Sequence, residues 1–476
     1  MNYLIYLHTA VVIAFSVRIL LRDDLLPTAR LAWFIVLVIL PGFGSVIYFL
    51  FGEADLGKKG KSKARKMQEK IRTIGGRHLG DAEALPTLIH KDYQPLFRYA
   101  ASMNGFQPVP GNTARLMADP DDTLRHMIAD IDAATDHVHA LYYIWLEDHT
   151  GTALAEALIR AAKRGVTCRA MTDGLGSRGL VGSALWTAME EAGVQLAVAF
   201  PLHRPFHTLL TSRIDLRNHR KITVIDGRVT YCGSRNSADP EFRPKRRYGP
   251  WVDIMVRFEG PIVAQNQLLF ASDWVAATGD DVESFPLIAE PRPGGFPAQV
   301  FADGPTERKG GTPQLFSLAL ATARESVTIS TPYFVPDATL VEALCAAAHR
   351  GTRVTLIFPR RNDSLIVAAA SRSYYRRLLE AGCALHEFTG GLLHAKTLTV
   401  DEEITMIGSS NLDMRSFDLN YENNILLQDS ALTERVHERQ RDYIAGSHQI
   451  DLFEVLQWPY YKRIWQNVIA TIGPVL

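Results

Sequence analysis

Cysteine is scarce. The 476-residue chain has four, Cys168, Cys232, Cys345 and Cys383, and no two form a C-x-x-C pair. This usage speaks against a structural zinc site or a disulfide framework, and no metal or other cofactor is expected. The four cysteines read as small buried residues with free thiols, which suits a reducing compartment. An excess of one charge is also missing, since Lys plus Arg and Asp plus Glu both number 51. A general nucleic-acid binder carries a basic surplus, so no nucleic-acid partner is expected. At 47% apolar and 21% charged residues the chain is globular rather than disordered, and its length accommodates two or three domains.

Charge is absent locally from two stretches. Tyr3 to Val17 is apolar apart from His8 and small polar residues, and Arg18 and Arg22 close it. Leu31 to Phe51 runs 21 residues without a charge. Both are long enough to cross a hydrocarbon core as helices, the first only just. Pro41 and Gly42 inside the second run are expected to kink a continuous membrane helix, with Trp33, Tyr48 and Phe51 in the aromatic belts. A cleaved signal peptide is disfavoured, because no basic segment precedes the first run and a second run follows closely. Downstream lie Lys58, Lys59, Lys61, Lys63, Arg65, Lys66, Lys70 and Arg72, whereas the loop between the runs holds only Arg22, Arg30, Asp23 and Asp24. The positive-inside rule therefore predicts a transmembrane helical hairpin over residues 1–55. A basic juxtamembrane linker follows over 56–105, near anionic headgroups, and the remainder lies in the cytoplasm.

What the remainder does contain is a repeat. His219-Arg-Lys221, Asp226, Gly233-Ser234 and Asn236 recur as His394-Ala-Lys396, Asp401, Gly408-Ser409 and Asn411, every position offset by 175. Upstream, Ala157-Leu158 to Arg164-Gly165 parallels Ala343-Leu344 to Arg350-Gly351. Each copy alternates strands and helices. Val138–Trp145, Val166–Met171, Lys221–Ile225 and Val229–Cys232 read as strands. Leu154, Leu158 and Ala161 lie at helical spacing before a capping Gly165. Asp226-Gly227 favours a tight hairpin turn. Val327–Tyr333, Leu340–Arg350 and Val354–Phe358 repeat that order. The fold expected is α/β, two equivalent halves in a pseudo-two-fold arrangement, each a β-sheet flanked by helices. The halves are bounded as 106–285 and 286–476, with Gly279 to Pro305 as the junction.

Two residues apart on a strand, His219 and Lys221 project to one face, as do His394 and Lys396. Asp226 and Asp401 stand an odd seven residues from their histidines, at a turn. They complete the candidate catalytic set in a scaffold or charge-balancing part. If the halves face each other, two histidines, two lysines and two asparagines converge on an anion site suited to a phosphodiester. The lysines, with Asn236, Asn411 and the neighbouring Ser234 and Ser409, would hold the phosphate oxygens. One histidine would attack phosphorus and the other protonate the leaving oxygen. Cation beside cation disfavours a metal.

H-x-K-x-x-x-x-D followed by G-S-x-N, present twice, resembles the phospholipase D superfamily. The stretch Ala32-Trp33 through Pro41-Gly42 to Tyr48-Phe49-Leu50-Phe51-Gly52-Glu53 is similar to the membrane segment of bacterial cardiolipin synthases. So are Arg217-Asn218-His219-Arg220-Lys221, Gly408 to Phe417, and Asn420-Tyr421-Glu422. The resemblance covers nearly the whole chain. It implies a metal-independent transfer between two phosphatidylglycerol molecules at a bacterial inner membrane, through a phosphohistidine. His219 would be the nucleophile and His394 the acid and then base. It also implies that an acid following each motif, Asp253 and Glu422, orients its histidine. One departure is Ser234, where a second glycine is common in the family. Phosphatidylglycerol and membrane lipids are the expected partners, and a hydrolase or a transferase with another alcohol acceptor is the alternative. Phe200 to Leu216 and Trp458 to Leu476 are candidate bilayer contacts, the latter equally a packed terminal helix.

Overall fold

Burial on both faces explains the long apolar runs of the repeat. In the computed structural model every residue of His137–Tyr142 is buried, as are the last six of Thr167–Asp173, the pattern of strands covered by helices on each side. The structure describes residues 2–23, 25, 27–52, 57–201, 215–281, 285–288 and 290–472. Most of the expected contact segment Phe200 to Leu216 lies outside them.

The first copy contributes β1 (Val109–Leu116), β2 (His137–Tyr142), β3 (Thr167–Asp173), β4 (Gln195–Ala199), β5 (Arg217–Asn218), β6 (Lys221–Ile225), β7 (Val229–Gly233), β8 (Trp251–Val252) and β9 (Met255–Glu259). The second contributes β10 (Phe296–Asp303), β11 (Ser326–Ser330), β12 (Phe334–Val335), β13 (Arg353–Pro359), β14 (Ala384–Phe388), β15 (Leu392–Leu393), β16 (Thr397–Val400), β17 (Ile404–Gly408), β18 (Leu412–Asp413), β19 (Asn420–Gln428) and β20 (Ser447–Ile450). Across the sheet the order is β4-β3-β2-β6-β7-β9-β1, then β10-β19-β17-β16-β11-β13-β14, with β20 on the outer edge. The second series repeats the first outward from the antiparallel β1–β10 seam, so the halves are related by a pseudo-two-fold.

Local signals recur with the halves. Asp148 and Asp337 cap equivalent helices, His149–Lys163 and Ala338–His349, by accepting from the amides of Gly151 and Leu340. Gly165 and Gly351 leave those helices at φ 89° and 97°, a region where a side chain is strained. Helix Ile262–Thr278 is buried along most of its length in the core beneath the seam. There the Gln265 side chain donates to the Gln107 carbonyl at 2.8 Å and accepts from the Val300 amide at 2.8 Å, tying the halves together.

Two expectations need correction. Residues 56–105 are not only a linker. Leu85, Ile89, Tyr93, Leu96, Phe97 and Met103 pack with Phe301, Leu315 and Phe316 in the core of the second half. The apolar spacing in helix Gln94–Asn104 was the available signal. Nor does the second apolar run form one helix. The N-terminal helices are α1 (Asn2–Leu20), α2 (Pro27–Ile39), α3 (Phe43–Phe51) and the basic α4 (Gly57–Gly75). Pro41 lacks the amide a helix needs, and Gly42 at φ 77° turns the chain. Among the described residues no helix is long and apolar enough to cross a membrane.

The twin hairpin turns differ in one instructive way. Asp226 and Gly227 sit at φ 51° and 63°; Asp401 and Glu402 sit at 50° and 59°. A glutamate there is strained where its twin is a glycine. Glu402→Gly is expected to raise stability by about 0.5–1 kcal/mol, read as a higher thermal midpoint of the detergent-solubilised protein. No gain would mean that the turn holds no such strain.

Candidate active site

Each H-x-K segment leaves regular strand geometry at its histidine. β5 ends at Asn218 and β6 begins at Lys221; β15 ends at Leu393 and β16 begins at Thr397. The histidines therefore stand in the gaps, not within strands as the spacing suggested. What holds them is the opposite half. β5 pairs in parallel with the start of β19, and the His219 amide donates to the Tyr421 carbonyl at 2.9 Å. β15 pairs in parallel with β8, and the His394 amide donates to the Val252 carbonyl at 2.8 Å. Each lysine folds back on its own motif, Lys221 Nζ donating to the His219 carbonyl at 2.5 Å and Lys396 Nζ to the His394 carbonyl at 2.6 Å.

The orienting acids are crossed. His219 Nδ1 lies 2.9 Å from Glu422 Oε2, and His394 Nδ1 lies 2.6 Å from Asp253 Oδ1. The resemblance implied an acid following each motif for that motif's histidine; the structure instead gives each histidine the acid of the other half. The reason is the strand pairing above, which brings Glu422 next to the His219 backbone and Asp253 next to that of His394. An Nδ1–H donated to a carboxylate fixes the tautomer and leaves Nε2 with its lone pair. Further donors hold the acids. Ser234 Oγ donates to Asp253 Oδ1 at 2.6 Å. Ser416 Oγ and Asn420 Nδ2 donate to Glu422 Oε1 at 3.1 and 3.2 Å.

The other expected phosphate ligands divide. Asn236 accepts from the Ile144 amide at 3.1 Å through Oδ1, and its Nδ2 is buried without a partner among the described residues. A buried, unspent donor is costly unless something fills it. Asn411 instead spends Nδ2 on Ser416 Oγ at 3.0 Å. The hydroxyls of Ser234 and Ser409 are engaged as well, the latter with the Asn423 carbonyl at 3.2 Å, so they support the acids and backbone rather than face a phosphate. Asp226 and Asp401 stand apart from the histidines. Asp226 accepts from the amides of Thr135, Asp136 and His137, and Asp401 from those of Arg324, Glu325 and Ser326. The length of β6 puts Asp226 about 16 Å from Lys221, so the part these two acids play is that of scaffold, bracing the turns before β2 and β11.

Aromatic rings wall the site. Tyr143 packs 4.9 Å from the His219 ring, and Trp251 packs 4.5 Å from that of His394. Sequence reasoning missed both rings and Asn423, whose Oδ1 accepts from the Lys221 amide at 3.0 Å. The W-V-D triplet ending in Asp253 carried the only signal for Trp251.

Burial sets the electrostatics. Lys221 is 0% exposed and Lys396 3%. Desolvation brings Lys221 down to about 8, against the pull of Glu422, Asp253 and Asp173. It brings Lys396 to about 7, with repulsion from Lys221 adding to the effect. Burial likewise lowers His219 to about 4 and lowers His394. Burial alone would raise Asp253 and Glu422, but their histidine and lysine neighbours and hydroxyl donors outweigh it, so both are held ionised. Lys221 repels Lys396, and each lysine is drawn by both Asp253 and Glu422, so the two motifs form one site. Two buried ammoniums beside two carboxylates already engaged by imidazoles favour an anion there, not a metal cation.

Two halves that each complete the other's histidine define a two-copy protein of the phospholipase D-like class. A family model described as cardiolipin synthase, PLD-like domain, matches residues 127–274 and 318–442, and one described as phospholipase D-nuclease N-terminal matches residues 10–53. Cardiolipin synthase A of Serratia proteamaculans (strain 568) is 36% identical over 473 residues, 97% of this chain and 95% of that protein. Cardiolipin synthase A of Klebsiella pneumoniae (strain 342) is 34% identical over 485 residues, 100% of this chain and 98% of that one. The crystal structure of phosphatidylserine synthase from Haemophilus influenzae Rd KW20 aligns with a TM-score of 0.58 over 81% of this chain and 100% of that one, at 14% identity, which shows a shared fold. The chain belongs to the family of cardiolipin synthases with PLD-like domains.

Because phosphate binding needs charged lysines, kcat/KM should fall as the free protein loses the Lys396 proton above pH about 7. Lys396→Arg keeps that charge at all working pH values. It should lower the rate and make the fall above pH about 7 shallower, because the remaining lysine step, that of Lys221, comes at about 8. A fall above pH about 7 as steep as the parent's would contradict the assignment.

Proposed function

We propose that the chain makes cardiolipin by transferring a phosphatidyl group from one phosphatidylglycerol to another with release of glycerol. The observation that carries this reading is the crossed pair of histidine–carboxylate contacts on either side of two buried lysines. His219, whose ring burial keeps neutral, is the nucleophile. Its Nε2 bonds to phosphorus, the bond from phosphorus to the glycerol oxygen breaks, and protonated His394 gives its proton to that oxygen. In the second step His394 takes the proton of a hydroxyl on the second phosphatidylglycerol. That oxygen bonds to phosphorus and the phosphorus–nitrogen bond breaks, which restores both imidazoles. Lys221, Lys396 and the Asn236 amide hold the non-bridging oxygens through both steps.

Water is kept from the intermediate by depth. His394 is 2% exposed and His219 8%, with Tyr143 and Trp251 against their rings. Such a setting favours a lipid hydroxyl over hydrolysis. The domain reading that goes with this is a membrane-attached segment over residues 1–55 and two halves over 106–285 and 286–476, on the cytoplasmic side of a bacterial inner membrane. The basic sequence of α4 supports attraction to anionic headgroups. So does the terminal helix Tyr460–Ile472, which buries Gln466 and Ile469 but exposes Tyr460, Tyr461, Ile464, Trp465 and Val468.

His219→Ala and His394→Ala should each cut cardiolipin formation by at least about 100-fold. Thin-layer analysis of lipids from expressing cells checks this: the parent chain should raise cardiolipin while phosphatidylglycerol falls. Phosphatidic acid as the sole new product would point to hydrolysis, and full turnover in both variants would refute the two-histidine mechanism.

A further inference from the structure

Two membrane crossings would put the loop between α1 and α2 across the bilayer from the catalytic halves. The geometry of the N-terminal helices places that loop elsewhere. Trp33 and Tyr48 lie 15 positions apart in sequence, which one unbroken helix would turn into about 22 Å. Their ring centroids are 5.1 Å apart, edge to face. Phe15 packs on the same Tyr48 at 5.1 Å, and Ile19, Trp33, Leu37 and Tyr48 form a small core of their own. α2 and α3 therefore fold back on each other. Gly44 permits the close approach, since a Cβ there would sit 2.3 Å from the Val36 carbonyl oxygen.

Arg22 marks where the fold-back begins and ends. Its guanidinium donates to the carbonyl of Gly52, just ahead of α4, at 2.6 Å. Arg30 donates to the Arg22 carbonyl at 2.6 Å. The α1–α2 loop and the exit of α3 thus share one base, on the side from which the chain continues into the catalytic halves. Charge and apolarity are sorted along the same axis. Arg22 and Arg30 are at the base, while Val38, Ile39, Leu40 and Phe43 at the far tip are exposed. Leu31, Ile35, Val46 and Phe49 on the flanks are exposed as well. α2 and α3 span about 20 and 13 Å, short of the roughly 30 Å of a hydrocarbon core. An apolar tip and flanks above a charged rim of Arg22, Asp23 and Arg30 match acyl chains beneath lipid headgroups.

We propose that α2 and α3 form a re-entrant hairpin. It enters the acyl layer from the catalytic side, turns at Pro41-Gly42 and leaves on the side it entered, so the α1–α2 loop stays with the catalytic halves. This rests on the membrane attachment proposed above, and not on the lipid product. The test uses the full chain in sealed membrane vesicles of each orientation, with a membrane-impermeant maleimide as probe. The native cysteines are buried, so a cysteine introduced by Asp23→Cys in the loop reports alone. Glu190→Cys on the first half marks the catalytic side. Both should be labelled in the same vesicle orientation, with ratios between orientations agreeing within about twofold. Labelling of position 23 from the opposite side would overturn the hairpin, as would labelling from neither side, because Asp23 is exposed. Leu21→Cys, 77% exposed in the parent, repeats the measurement if the first variant does not accumulate. A chain recovered in the soluble fraction would overturn the attachment itself, whatever lipid the protein makes.

Discussion

One contact pattern organises this protein: an imidazole from each half donates to a carboxylate from the other. Everything near the site follows from the need to make that contact twice. Two short pairings, β5 with the start of β19 and β8 with β15, two residues each, run across the interface between halves. They carry His219 to Glu422 and His394 to Asp253. A single half would have a histidine without its acid and an acid buried without its histidine, and a lone buried charge is strongly unfavourable. The continuous sheet and the buried glutamine ties of helix Ile262–Thr278 keep the halves from separating.

The second feature is a deliberate imbalance. Two lysines are placed where burial depresses both, and repulsion from Lys221 adds to the effect at Lys396. The charges of Asp253 and Glu422 offset only part of this, and each acid is already committed to an imidazole. A phosphate diester bound there would supply the missing negative charge, so that binding and lysine protonation would reinforce each other. Asn236, whose buried Nδ2 has no partner among the described residues, adds a neutral donor to the same demand.

The sequence made part of this legible. The H-x-K twins, their offset, the strand–helix alternation and the capping glycines all rest on local residue types, and local types survive in a one-dimensional pattern. Which acid serves which histidine does not, because that choice is made by strands two residues long that pair only in three dimensions. Leu96 and Phe97 precede the first copy in the chain yet pack in the second half, so a linear division put them in a linker. Asp226 and Asp401 share the motif with the histidines, but their odd spacing and turn position mark them as scaffold, and their carboxylates hold the turns before β2 and β11. Pro41-Gly42 read as a kink; Gly44, two residues on, was the sign that the backbones meet.

The 19-residue basic helix α4 lies between the apolar N-terminal helices and the halves that share the site. The central claim is the crossing of the acids, and the nitrogen-bound protons of the two histidines report it directly. In the ¹⁵N-histidine-labelled protein, low-field proton resonances from His219 and His394 can be assigned by their loss in the corresponding alanine variants. Glu422→Gln should shift the His219 resonance and leave that of His394 in place, and Asp253→Asn should do the reverse. If Asp253→Asn instead moves the His219 signal, each half serves its own histidine and the acids are not crossed.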